Sequence, residues 1–242
     1  MSTNQDILNS TIFNHVVSNK YNCFYTNADS IFNKRHEIDL TLKKDKPDLV
    51  LITESCPKNR AVDFTFDLSF EHYSVPESDL TGRGVTLLVR DHIKYKRRGD
   101  LETFRPTVAI ELLDGNSKLL LLLTYRSPNL DSEGNFSICS MIESVCRKLK
   151  NDDEVIILGD FNFPEINWSN NICRCHPNHP ATLFLNTIND NFLQQKIAEP
   201  THFRAQQTAN ILDIILTNTE GLISDIKYLP PWGKSHHVVL KL

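Results

Sequence analysis

Hydrophobic positions fall along this chain in short, largely apolar runs. Leu49-Val50-Leu51-Ile52, Val85 to Val89, Thr107 to Leu112, Lys118 to Thr124, Val155-Ile156-Ile157-Leu158 and Leu212 to Leu216 are too short for helices and lack helical spacing, so each predicts a strand. The Leu119–Leu123 run must be covered on both faces, as a central strand of a layered structure is. Tyr21 to Thr26, Ile223 to Tyr228 and Val238 to Leu240 predict further strands. Asp114-Gly115-Asn116 reads as a hairpin turn, with glycine where positive φ is cheap. Helical spacing is clearest at Ile138, Met141, Ile142, Val145, Cys146 and Leu149, which recur at i, i+3, i+4, i+7, i+8 and i+11. Helices are also expected from Asn33 to Lys44, where Ile38 and Leu42 share a face, and near Ala181 to Leu193. Residues 55–83 read as loop with short strand fragments, and the lead to residue 20 is polar.

Composition adds limits. With 242 residues and 40% hydrophobic content the chain can fill a substantial core. It divides into a polar lead, 1–20, and a single domain, 21–242. Its longest apolar run is far too short to cross a bilayer, and Met1 to Asp6 has neither the basic flank nor the apolar segment of a secretory signal. An intracellular protein without a membrane partner is expected. The six cysteines are then expected to be reduced thiols. Cys173, Cys175, His176 and His179 offer zinc-ligand chemistry, but the C-x-C spacing is tight and no second ligand pair follows at finger distance. The net charge of −4 does not announce a nucleic-acid binder. Lys94, Lys96, Arg97 and Arg98 are nonetheless grouped within five positions, as a DNA-backbone patch or a solvated face would be.

The chemistry gathers where strands end. Leu158-Gly159-Asp160-Phe161-Asn162-Phe163 delivers a carboxylate and a carboxamide to the exit of a buried strand. A carboxylate there can take a proton from water, and an amide can hold a phosphate oxygen. Asn27, Glu54, Tyr125 and Ser235-His236-His237 stand at other strand exits. Asp213 is embedded in an apolar strand, so it needs a partner, and histidine is a candidate. Converging strand ends are where layered folds build sites.

In order, N-x-D at Asn27, Thr53-Glu54, Tyr125-Arg126-Ser127-Pro128-Asn129, Gly159-Asp160-Phe161-Asn162, Leu212-Asp213-Ile214-Ile215-Leu216 and Ser235-x-His237 resemble the endonuclease/exonuclease/phosphatase superfamily with the DNase I-like fold. Tyr25-Thr26-Asn27-Ala28, Lys46-Pro47-Asp48 and Leu216-Thr217-Asn218 are similar to its branch in the apurinic-like endonuclease domains of non-LTR (LINE-type) retrotransposons. The resemblance runs from about Tyr21 to the end of the chain. It implies an α/β (α+β) fold, a four-layered α/β/β/α sandwich, and metal-dependent cleavage of one strand of duplex DNA by a monomeric domain. Glu54 would hold Mg²⁺, with Mn²⁺ as a substitute, and Asn27 and Asp29 would support the metal position. Asp160 would activate water; Asn162, Tyr125 and Asn129 would bind phosphate and DNA backbone. His237 would donate to the phosphate, with Asp213 fixing its ring. The resemblance further implies action in the nucleus and a reverse transcriptase domain in a longer polyprotein.

The chain departs from that pattern in two places. Ser235-His236-His237 stands where the family has S-D-H, so an acid near the metal is missing, and the sequence ends five residues after His237. An excised domain, a truncated copy and a host protein are all compatible with that ending. Two other functions stay open: a phosphatase or phospholipase of the same fold, and a catalytically impaired relic that binds nucleic acid or a partner.

Overall fold

The computed structural model describes residues 21–57, 69–78, 82–113 and 118–242. The polar lead, the turn at Asp114-Gly115-Asn116 and part of the 55–83 stretch lie outside them. In chain order the strands are β1 (Cys23–Asn27), β2 (Leu49–Cys56), β3 (Phe70–Val75), β4 (Arg83–Arg90), β5 (Tyr95–Arg97), β6 (Thr107–Leu112) and β7 (Leu119–Tyr125). They continue with β8 (Glu154–Asp160), β9 (Ile166–Asn167), β10 (Ile172–Cys173), β11 (Gln194–Gln195), β12 (Asp213–Thr217), β13 (Lys227–Leu229) and β14 (Val239–Lys241). The α-helices are α1 (Arg35–Asp45), α2 (Ser132–Lys148) and α3 (Pro180–Asp190).

Two mixed six-stranded sheets form, in the orders β13-β14-β1-β2-β4-β3 and β11-β12-β8-β7-β6-β5, and β9 pairs with β10 apart from both. In each large sheet the central pair is parallel, β1 with β2 and β7 with β8. Strand alternation sorts the apolar runs into layers. Leu49 and Leu51 of one sheet meet Leu121, Leu123, Leu158 and Ile215 of the other in a core between the sheets. Their neighbours Val50 and Ile52 face outward onto Ile38 and Leu42 of α1. Leu120, Leu122, Val155 and Ile157 face outward onto Ile138, Met141, Ile142 and Val145 of α2 and Phe184 and Ile188 of α3. The result is helix, sheet, sheet, helix: the DNase I-like α/β sandwich.

Asp131 caps α2 by accepting from the Gly134 amide at 2.8 Å, and Arg147 and Lys148 sit in the last turn, where the helix dipole favours cations. Proline at the first position of α3 suits a helix start. No helix among the described residues is long and apolar enough to cross a membrane.

Within the 55–83 stretch, expected as loop with short strand fragments, Phe70 to Val75 is such a strand; as the edge of its sheet it buries little beyond Phe70, so no apolar alternation sets its bounds. One expectation changes: of the expected Ile223–Tyr228 strand only Lys227 and Tyr228 are paired, in a strand that runs on to Leu229. Its partner β14 offers three residues, so the ladder ends at Lys227 opposite Lys241.

Candidate active site

The alternation that fills the inter-sheet core also builds the site. Leu121 and Leu123 point between the sheets, so Tyr125, two residues on, does too. Leu158 carries Asp160 to the same side, Ile215 fixes the side of Asp213, and Tyr25 that of Asn27. Register sets these groups abreast: Tyr125 lies opposite Asp160, Asp160 opposite Asp213, and Asn27 opposite Thr53. Gly159 is needed at this junction. A Cβ there would stand 1.8 Å from the Thr124 carbonyl oxygen on the neighbouring strand.

Hydrogen bonds tie the sheets together across the site. Asn27 Nδ2 donates to Asp160 Oδ2 at 2.8 Å and also to Glu54 Oε1 at 3.0 Å, so one amide clamps two acids. Tyr25 donates its hydroxyl to Asp213 Oδ1 at 2.6 Å. The other Asp213 oxygen meets His237 Nδ1 at 2.6 Å. Thr201 Oγ1 accepts from the Asp213 amide, and Ser235 Oγ accepts from that of His237 while donating to the Asn27 carbonyl at 2.7 Å. His237 Nε2 has no protein partner among the described residues.

Glu54 is aimed by a β-bulge. Thr53 pairs with Val85 and Cys56 with Arg83, so Glu54 and Ser55 together oppose Gly84 alone. Glu54 has φ 46° and Arg83 φ 50°; Asp29 and Asn162 are also in the left-handed region, at 41° and 51°. Such conformations cost about 1–3 kcal/mol each and concentrate at functional sites. The bulge brings Arg83 Nη1 to 2.6 Å from Glu54 Oε2 and to 2.7 Å from the Tyr125 hydroxyl, to which it donates.

Burial and the carboxylates Asp213 and Glu54 push the proton affinity of Asp160 well above the usual carboxylate range, against the opposing effects of His237 and the Asn27 amide. Burial alone would favour neutral His237. The charge and hydrogen bond of Asp213, reinforced by Asp160 and Glu54, more than offset it and raise the imidazole to about 9. Burial would likewise raise Asp213, but His237 and the hydrogen bonds from His237, Tyr25 and Thr201 hold it down. His237 is therefore an imidazolium whose Nε2–H is the free donor.

The donor set fits a hard divalent cation. Glu54 presents an oxygen ligand at a side chain only 12% exposed, where burial leaves charge–charge interactions little screened. Asp160, Asp213 and His237 also offer ligand atoms within 4.8 Å of one another. The Asp213 oxygens are held by His237 and Tyr25 and those of Glu54 by Asn27 and Arg83, but the Glu54 side chain is 12% exposed against 2% for Asp213, so an ion reaches Glu54 more readily.

Other expected residues lie at or beyond the rim. Asp29 is exposed, with its amide bonded to Asn27 Oδ1 at 2.9 Å. Asn162 turns its amide group to the Arg126 carbonyl at 2.8 Å while its backbone N–H serves Asp160 Oδ1 at 3.1 Å. Asn129 is exposed in the turn before α2. His236 is exposed, its ring edge-on to that of His202. The basic group spans the edge strand β5, with Lys94 just before it and Arg98 just after it. There Arg97 binds Glu102, and Arg98 binds Asp100 and Glu111. Lys94 and Lys96 are exposed without ion pairs among the described residues. At the other cysteine–histidine cluster, Cys173 accepts from Thr182, and His176 and His179 accept backbone amides through Nδ1. Sequence reasoning missed Arg83 and the bridging role of Tyr25. Glycine on both sides of Arg83 was the one available signal.

The sequence profile of a family described as endonuclease–reverse transcriptase matches residues 119–240, half of the chain. No curated protein matches the chain in sequence. The endonuclease domain of TRAS1, a telomere-specific non-LTR retrotransposon, is similar at 16% identity and TM-score 0.70, covering 92% of this chain and 97% of that one. A 3′ phosphatase from Neisseria bound to product DNA hairpin is similar at 13% identity and TM-score 0.63, with 92% and 98% covered. An AP endonuclease from Archaeoglobus fulgidus is similar at 14% identity and TM-score 0.63, again with 92% and 98% covered. At such identities the likeness is one of fold.

Proposed function

Because the chain belongs to the endonuclease–reverse transcriptase family, whose fold serves nuclease-type phosphodiester chemistry, we propose that it nicks one strand of duplex DNA with the help of Mg²⁺ or Mn²⁺. One observation carries the reading: Asn27 holds Glu54 and Asp160 on one side of the site, while Asp213 presents a protonated His237 beside them. Glu54, supported by Asn27 and Asp29, would hold the cation, which when bound supplies Lewis-acid polarisation of the phosphate and charge neutralisation at the leaving oxygen. Asp160 takes the proton of the attacking water. Its raised proton affinity suits that task, because a general base works best when its pKa lies near the operating pH. His237 donates from Nε2 to a phosphate oxygen as negative charge builds, and Asp213 keeps the ring charged and oriented. Tyr125 turns its hydroxyl to the same space, and Asn162 orders Asp160 through its backbone N–H. Nuclear action and a reverse transcriptase partner in a longer chain fit this reading.

His236 favours a second reading, a relic that binds DNA without cutting it, since an imidazole replaces an acid expected near the metal. Supercoiled plasmid tests both. Conversion to nicked circle in Mg²⁺ or Mn²⁺, stopped by EDTA, is expected; a folded protein that shifts plasmid mobility but nicks with neither ion is the relic.

A further inference from the structure

Arg83 has no place in the chemistry above, yet it is the cation closest to it. The bulge opposite Gly84 and the left-handed backbone at Arg83 bring one guanidinium nitrogen, Nη1, to Glu54 at 2.6 Å and to Tyr125 at 2.7 Å. A Cβ at Gly84 would lie 2.2 Å from the Val75 carbonyl oxygen, so the strand passes too close to β3 for any other residue, and the bend that aims Arg83 is built in. Nε and Nη2 of Arg83 have no partner among the described residues, and the side chain is 23% exposed. A planar fork with spare donors, held at the rim of an anionic site, matches an oxygen pair of a phosphodiester.

The Glu54 oxygen that Arg83 occupies is one that a divalent cation would need. A guanidinium and a divalent ion cannot share it without strong repulsion. We infer that Arg83 is an exchangeable latch: it neutralises Glu54 in the metal-free enzyme, and on metal binding it keeps Tyr125 and turns its free donors to the scissile phosphate. The site thereby never holds a bare Glu54, and the phosphate gains its second cationic contact only when the ion is in place. This rests on the assignment of Glu54 as metal holder.

The test compares the wild type with Arg83→Ala and with Arg83→Gln, which is close in size and uncharged; either variant suffices if the other fails to fold by circular dichroism. Mn²⁺ affinity is measured without DNA from the paramagnetic resonance of the free ion. Loss of a charge-assisted competitor is expected to tighten it about tenfold or more. Duplex affinity is then measured in an Asp160→Asn background, which prevents cutting. Loss of Arg83 is expected to weaken it about tenfold in saturating Mg²⁺, the worth of one charged hydrogen bond, and hardly at all in EDTA. Unchanged or weaker Mn²⁺ binding in the variants overturns the latch. An equal loss of duplex affinity with and without metal overturns the exchange. If neither the wild type nor the variants bind Mn²⁺, the metal assignment at Glu54 falls, and the latch with it.

Discussion

Asp160 is buried completely and receives a donor on each oxygen, from Asn27 and from the Asn162 backbone. Its carboxylate thus has one orientation and no solvent to compete for it. Asp160→Asn keeps the shape and removes the base, so plasmid nicking should fall by about 10²–10⁴-fold while the protein stays folded; a rate near that of the wild type would remove Asp160 from the reaction. The Asp213–His237 pair makes a separate statement about stability. His237 is raised from 6.5 to about 9 in the folded state, so folding binds a proton more tightly than the unfolded chain does. That contribution is complete below about pH 6.5 and is lost as pH rises through about 9, on the order of 3 kcal/mol for a shift of this size. His202 acts in the opposite sense: burial, and then the neighbouring His237 charge, lower it to about 4. Stability is therefore lost on the acid side too, as the unfolded chain takes up a proton the folded one refuses. Urea midpoints in EDTA should decline between pH 6.5 and 9.5 in the wild type and stay flatter in His237→Gln; parallel curves would show that the pair does not hold its proton.

At the scale of elements, one close approach and one bulge decide the geometry. Gly159 lets β8 run beside β7 with Thr124 opposite, and its backbone is in a region that side chains rarely adopt, φ 159°. Gly159→Ala should cost about 3 kcal/mol or more, from overpacking and backbone strain together, and should lower activity by separating Tyr125 from Asp160. Thermal unfolding would show this, and a melting temperature within a degree of the wild type would mean the strands can part without loss. Central elements were legible because their burial is double-sided. Leu119 to Leu123 and Val155 to Leu158 could be nothing but inner strands, and Tyr125 and Asp160 at their exits followed. The edge strand β3 was legible only as an unplaced strand fragment, since Glu71 and His72 face solvent. The bulge was not legible: no run of residues announces that Glu54 and Ser55 will together face Gly84, so the Glu54–Arg83 contact, 29 positions apart, was invisible until β2 met β4. The expected family motifs located Asn27, Glu54, Asp160 and His237. They carried no information on which cation would stand among them.

At the scale of the molecule the proposed function raises the question of how a chain of net charge −4 would approach DNA. The four basic residues at 94–98 read alike in sequence, but the fold divides them. Arg97 and Arg98 are drawn into ion pairs with Glu102, Asp100 and Glu111, and only Lys94 and Lys96 carry charge without such a partner among the described residues. A guanidinium already paired with carboxylates releases few phosphate counterions, because binding DNA would first have to break the pair. The log–log salt dependence of duplex binding follows the number of phosphates neutralised, about 0.9 per contact. Lys94→Ala with Lys96→Ala should therefore flatten the slope by at most about 1.8. Arg97→Ala with Arg98→Ala should leave it within error and show instead as a lower melting temperature, since Glu111, 11% exposed at its side chain, loses its closest cation. If the arginine pair flattens the slope as much as the lysine pair does, those ion pairs open on DNA and β5 belongs to the binding surface. If neither pair changes it, the salt dependence arises at the site itself, where Arg83 and His237 are the cations the phosphate meets.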